Sequence, residues 1–132
     1  GAGAAGGIGM ALLAVLHADC RPGIDLVIEQ SGLDAAAQWA DIVFTGEGSI
    51  DAQTMFGKTP VGVASVAKRH GKPVIAIAGG DGIECLHGRG IDAVFGAAPG
   101  AASLDELLRD ARANVARTAE QVTRLMRIVR SH

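Results

Sequence analysis

Apolar residues along this chain fall alternately into helically spaced stretches and short continuous runs, with glycine, proline and aspartate between them. Ile8, Leu12, Leu13, Val15 and Leu16 predict a helix from Gly7 to about Ala18, broken by Arg21-Pro22-Gly23. Ile24 to Gln30 reads as a second short helix closed by Ser31-Gly32, although its run Leu26-Val27-Ile28 also suits a strand. A helical turn over Asp34–Trp39 leads into a strand at Ile42–Thr45. Thr59 caps the next predicted helix, Pro60 takes its first turn and Gly71 follows its end. Pro73–Ala78 is then a buried strand, Ile83–His87 a short helix and Asp92–Phe95 a third strand.

The last helix carries the strongest local signal. Ser103 and Glu106 have the spacing of a capping box, in which each side chain satisfies an amide of the other residue. Leu104, Leu107, Leu108, Ala111, Val115, Ala119, Val122, Leu125, Met126 and Val129 form one apolar stripe, so a single helix is expected to the end of the chain. Asp105, Glu106 and Asp110 sit early and Arg124, Arg127 and Arg130 late, as the helix macrodipole favours. That arginine row is read as a solvated face rather than a phosphate or nucleic-acid site.

Alternating strands and helices imply right-handed crossovers and an α/β fold: a parallel sheet with flanking helices, in a Rossmann-like three-layer arrangement. Only three strands are visible. Such a sheet has two open edges and poorly covered faces, so further strands are expected from a longer chain or a second copy. A homodimer through the incomplete sheet is one such solution. The chain lacks an initiating methionine and opens inside a glycine motif, as a processed end or a piece of a longer protein would.

Composition narrows the function classes. The 132 residues are 48% hydrophobic and 3% aromatic, with 19 glycines and no tyrosine, which suits close packing of helices on parallel strands. A formal charge of −2 offers no general attraction to nucleic acid or to a membrane surface. No apolar run reaches the ~18 residues of a spanning helix. Cys20 and Cys85 have no paired spacing and are expected as free thiols in a reducing cytoplasm. His17, His70, His87 and His132 show no metal-ligand spacing.

Three segments compete as the chemical centre. Gly1-Ala2-Gly3-Ala4-Ala5-Gly6 opens a helix, where Gly3, Gly6 and Gly7 amides suit a phosphate or carboxylate. The same glycines also suit plain close packing. A dinucleotide role is disfavoured because no strand precedes them and Asp25 falls on a helix-like run. The second segment, Thr45 to Thr59, leaves the carboxyl end of a strand, the usual ligand position in open α/β sheets. Glu47 and Asp51 are suited to hold Mg²⁺, or either to accept a hydroxyl proton, and Lys58 to neutralise phosphate. Gly57-Lys58-Thr59 is not a P-loop, since Ala52 stands where the upstream glycine belongs. The competing account is a polar turn in which Asp51 and Thr54 cap the backbone. The third, Ala78-Gly79-Gly80-Asp81-Gly82, would let a ligand approach Gly79 and touch Asp81, or would simply be a turn with Asp81 as a helix cap.

Taken together, these segments resemble the bacterial glycerate kinases. The resemblance rests on Gly1-Ala2-Gly3-Ala4-Ala5-Gly6-Gly7-Ile8-Gly9, Arg21-Pro22-Gly23-Ile24-Asp25, Thr45-Gly46-Glu47-Gly48 and Ile50-Asp51-Ala52-Gln53-Thr54. It continues through Gly57-Lys58, Pro60, Gly62-Val63-Ala64, Gly71-Lys72-Pro73-Val74 and Gly90-Ile91-Asp92-Ala93-Val94-Phe95. It implies ATP-dependent, Mg²⁺-assisted phosphorylation of D-glycerate, most members giving 2-phosphoglycerate. It also implies a cytoplasmic enzyme whose α/β domain is built from both ends of the chain, with a second domain inserted between them. This chain resembles about the last third; the amino-terminal strands and the inserted domain are absent from it. Carried over, Glu47, Asp51 and Lys58 are the catalytic candidates, the two carboxylates also as metal ligands. Gly3, Gly6, Gly7, Gln53 and Thr54 are the carried-over candidates for substrate or phosphate contacts, and the loop reading above adds Gly79 and Asp81. Ser49 stands where relatives often have arginine. The isolated chain is expected to be inactive or very slow, and the competing class is a non-catalytic, self-associating α/β module.

Overall fold

The structure, a computed structural model, describes residues 3–48, 59–79 and 88–130. Three helices come first: α1 (Ala4–Leu16), α2 (Gly23–Ser31) and α3 (Leu33–Trp39). Then follow β1 (Val43–Glu47), α4 (Thr59–Arg69), β2 (Val74–Ala78), β3 (Ala93–Gly96), α5 (Leu104–Arg109) and α6 (Ala111–Arg130). The strands form a parallel sheet in the order β1-β2-β3, pairing Val43 with Val74 and Ile75 with Ala93. The α/β class and the parallel sheet expected from the alternating pattern are therefore present.

The period-2 alternation of the strands sorts their side chains onto two faces. Val43, Val74, Ala76 and Ala78 are buried with Ala64, Val66 and Ala67 of α4 and Ala37 of α3. This is the core, and small residues let α4 lie close to the sheet. On the opposite face, Phe44 is 47% exposed and Ile75, Ile77 and Phe95 are half-buried.

The ambiguous segment from Ile24 is helical. α2 packs on α4 through Gly62, where a Cβ would lie 2.5 Å from Ile24 Cγ1 and 3.5 Å from Ile28 Cδ1. Leu26 and Val27, the residues that suited a strand, face outward on α2. Gly62→Ala sets a helix-propensity gain of about 1 kcal/mol against an overpacking cost of about 1–3 kcal/mol. We expect a net loss of about 1 kcal/mol in urea unfolding. Ile24→Ala should cost less in the Gly62→Ala background than alone, because the two side chains compete for one space.

Asp92, just before β3, ties three elements together. Its carboxylate accepts from Lys68 Nζ of α4 at 2.6 and 2.8 Å and from the Val74 amide of β2 at 2.6 Å. The Lys68 hydrogen bond, then the Val74 amide, holds this carboxyl below its ordinary value near 3.8. A depressed carboxylate stabilises the fold above that ordinary value, and the contribution is lost as pH falls through the folded value. Asp92→Asn should therefore flatten the acid limb of a stability–pH curve below about pH 4. At neutral pH it should cost about 1 kcal/mol or less, since the pair is half in solvent.

Three expectations need correction or placement. The carboxyl-terminal helix is not continuous. Asp110 leaves helical geometry at φ −99°, ψ 5°, with its amide bonded to Glu106 and its carbonyl accepting from Asn114 at 3.0 Å. Aspartate competes locally with helical hydrogen bonding, and here its carboxylate pairs with Arg109 at 3.0 and 3.1 Å. The capping box is present, Ser103 accepting from the Glu106 amide and Glu106 from the Ser103 amide. Thr59 is itself the first residue of α4. The expected helix at Ile83–His87 lies outside the described residues.

Much apolar surface is uncovered. Ile8, Met10, Val15 and Leu16 of α1 are 58–72% exposed, as are Leu104, Leu108, Ile128 and Val129 of the last two helices at 59–69%. Among the described residues, no helix is long and apolar enough to cross a membrane.

Candidate functional site

The three strands end on one rim. The ladder runs one step past β1 and β2, with the Gly79 amide donating to the Glu47 carbonyl at 3.2 Å. The Ala97 amide likewise donates to the Ala78 carbonyl at 2.7 Å. The chain thus leaves all three strands side by side. At Gly79 a Cβ would stand 2.3 Å from the Gly48 carbonyl oxygen, and at Gly46 one would stand 2.8 Å from the Ile77 carbonyl oxygen. The glycine at 79 is demanded by the backbone of the neighbouring segment, a packing reason that the sequence does not display.

Behind the rim lies a cleft of about 820 Å³. One wall is the open sheet face and its rim, Phe44 to Gly48, Ile77 to Gly79 and Ala97-Ala98. The other wall is Leu104, Leu107 and Leu108 of α5 and Ala111, Asn114 and Val115 of α6. Glu47 is half-buried at the mouth, its Oε1 accepting from the Gly48 amide at 3.1 Å. This contact turns the carboxylate toward the backbone at the end of β1.

Of the residues expected to form the site, Glu47 and Gly79 line the cleft together. Gly3, Gly6 and Gly7 do not line it. Gly6 and Gly7 lie in the first turns of α1 at φ +68° and +95°, a region that favours glycine. Asp51, Gln53, Thr54, Lys58 and Asp81 lie outside the described residues. Among the described residues no cluster of three or more histidines, cysteines, aspartates or glutamates could hold a metal ion. Glu47 is the sole carboxylate on the described lining, and Mg²⁺ is usually held by one or two carboxylates together with substrate phosphates.

Asn114 was not foreseen. It is the one buried polar residue among the described side chains, 7% exposed, with Oδ1 accepting from Arg117 Nη2 at 3.2 Å. The available signal was a polar residue sitting among Ala111, Val115 and the rest of the apolar stripe.

A parallel α/β sheet with a cleft at the carboxyl ends of its strands defines the class of small-molecule α/β proteins whose ligands bind at that rim. The chain belongs to the glycerate kinase family, whose model matches residues 1–127. It is 51% identical over 111 residues to a glycerate kinase of Halalkalibacterium halodurans, covering 83% of this chain and 29% of that protein. It is 44% identical over 130 residues to a glycerate 2-kinase of Escherichia coli, covering 97% of this chain and 34% of that protein. A Salmonella typhimurium crystal structure assigned as glycerate kinase 2 superposes with a TM-score of 0.79 at 44% identity. That match covers all of this chain and 34% of the other. The chain thus spans about a third of the length of these relatives.

Proposed function

We propose that this chain forms one wall of the active site of a glycerate kinase. The reaction transfers the γ-phosphoryl group of ATP to a hydroxyl of D-glycerate, giving phosphoglycerate and ADP. The observation that carries this reading is the Glu47 carboxylate on the cleft at the end of β1, in a chain of this family. Glu47 or Asp51 orients the glycerate hydroxyl and takes its proton as the oxygen attacks phosphorus and the bond to the leaving ADP oxygen breaks. Lys58 offsets phosphate charge as a point cation. Gln53, Thr54, Gly79 and Asp81 contact substrate, and the amides of Gly3, Gly6 and Gly7 hold a carboxylate or phosphate. Glu47 and Asp51 would hold Mg²⁺, which would offset charge on the transferring group. Positioning dominates phosphoryl transfer. A chain one third the length of its relatives is therefore expected to turn over slowly or not at all. We place the active protein in the cytoplasm, with its remaining sheet and second domain supplied by further chain.

A second reading is a self-associating α/β module without catalysis. It is favoured by the uncovered apolar face of α1 and by the outer positions of β1 and β3, each paired on one side only among the described residues. Glycerate-dependent ADP release, measured beside mass by light scattering, separates the two. Release that tracks glycerate supports the kinase; a silent, dimeric sample supports the module.

A further inference from the structure

Gly79 lines the cleft beside Glu47, and its contacts reach that residue through the backbone. The Gly79 amide donates to the Glu47 carbonyl at 3.2 Å. That carbonyl and the Gly48 N–H are the two ends of one peptide group. The Gly48 N–H is in turn the donor from which Glu47 Oε1 accepts at 3.1 Å. A trans peptide is planar, with its C=O and N–H pointing in opposite directions, so turning one end turns the other. Here the C=O is directed at Gly79, beside β2. The N–H is therefore presented on the far side of β1, and Oε1 lies with it. Gly79 thus acts on the carboxylate from behind, through the peptide.

Two further features make this arrangement depend on residue 79. A Cβ there would stand 2.3 Å from the Gly48 carbonyl oxygen, so the next peptide group is seated directly against the bare Cα. The Gly79 donor also polarises the peptide it binds, which strengthens the N–H at the opposite end toward an ionised acceptor. A misplacement of about 1 Å can cost on the order of 10²-fold in rate, so the aim of a proton acceptor matters as well as its presence. We propose that Gly79 is a positioning residue for Glu47: it orients the Glu47–Gly48 peptide, and that peptide aims the carboxylate. The proposal rests on the kinase reading above and adds, to the proposed contact of Gly79 with substrate, a role in the transfer step itself.

The test is a double-mutant cycle in a glycerate kinase that carries this segment, each variant being assayed well below its melting temperature. Gly79→Ala is expected to lower kcat by about 10–100-fold. In the Glu47→Gln background it should lower kcat by less than about threefold further, because the carboxylate it positions is already gone. Gly62→Ala, a packing change between α2 and α4, is the control for lost stability and should have the same small effect in both backgrounds. Gly48→Pro works from the other end of the same peptide by deleting its N–H, at a position where a Cβ meets open space. It should reproduce the loss of kcat and its dependence on Glu47, and it carries the test if Gly79→Ala fails to fold by circular dichroism. Equal losses from Gly79→Ala in the two backgrounds, or a loss confined to KM, would overturn the proposal and leave the kinase reading intact. Full turnover in Gly48→Pro would do the same. Near-normal turnover in Glu47→Gln removes both.

Discussion

In a glycerate kinase that carries this segment, Glu47→Gln is expected to lower kcat/KM by about 10²–10⁴-fold, the usual worth of a positioned proton acceptor. The substitution keeps the shape of the side chain, and the amide oxygen of glutamine still accepts from the Gly48 amide that now holds Oε1 at 3.1 Å. Folding stability should therefore change little, and the loss should appear in turnover. If Glu47 acts as the base, the loss lies in kcat at every Mg²⁺ concentration. If it acts as a metal ligand, raising Mg²⁺ restores part of the rate. Asp51→Asn measured in parallel puts the second carboxylate through the same two readouts. Near-normal turnover for Glu47→Gln would take this residue out of the chemistry.

Gly79→Ala is expected to destabilise the fold by about 2–3 kcal/mol, at the upper end of what overpacking usually costs. The new methyl would stand 2.3 Å from the Gly48 carbonyl oxygen. That neighbour is backbone, with no rotamer to move, so the two segments leaving β1 and β2 must separate. The Gly79 amide bond to the Glu47 carbonyl, 3.2 Å long, would be strained in the same movement. A domain of this size should lose roughly 6–12 °C in melting temperature. The separation also shifts the mouth of the cleft, so ligand affinity should fall beyond what reduced stability explains. Gly79→Ala with an unchanged melting temperature would show that the close approach is not a feature of the folded protein. Gly46→Ala, at 2.8 Å from the Ile77 carbonyl oxygen, should show the same effect more weakly.

These predictions concern two residues singled out by their place after an apolar run, and the structure adds different reasons for each. Glu47 stands at the mouth of a cleft because β1 ends there, as the pattern implies. Gly79 invited a ligand contact by its composition, whereas the space a Cβ would fill is taken by Gly48. Asp51 and Lys58 keep their proposed roles from motif chemistry alone.

The strands were legible because Val43-Phe44 and Val74-Ile75-Ala76-Ile77 are short apolar runs bounded by turn residues, and the crossover α4 because proline and glycine punctuate it. The capping box was legible for the same local reason: its partners are three residues apart. These features depend on neighbours in the chain, so local order suffices to announce them. The contact of Gly62 with Ile24, the approach of Gly79 to Gly48 and the burial of Asn114 depend on residues distant in sequence or on how a helix meets the sheet. An apolar stripe declares that a helix has something to cover, and only packing decides which of its positions finds a partner. Here Val122 is buried, Leu125 and Val129 are not, and Asn114 is enclosed although it is polar. Sequence therefore determined the α/β alternation and the chemistry gathered after β1. Tertiary structure decided the shape of the space that chemistry faces, because long-range steric contacts set it.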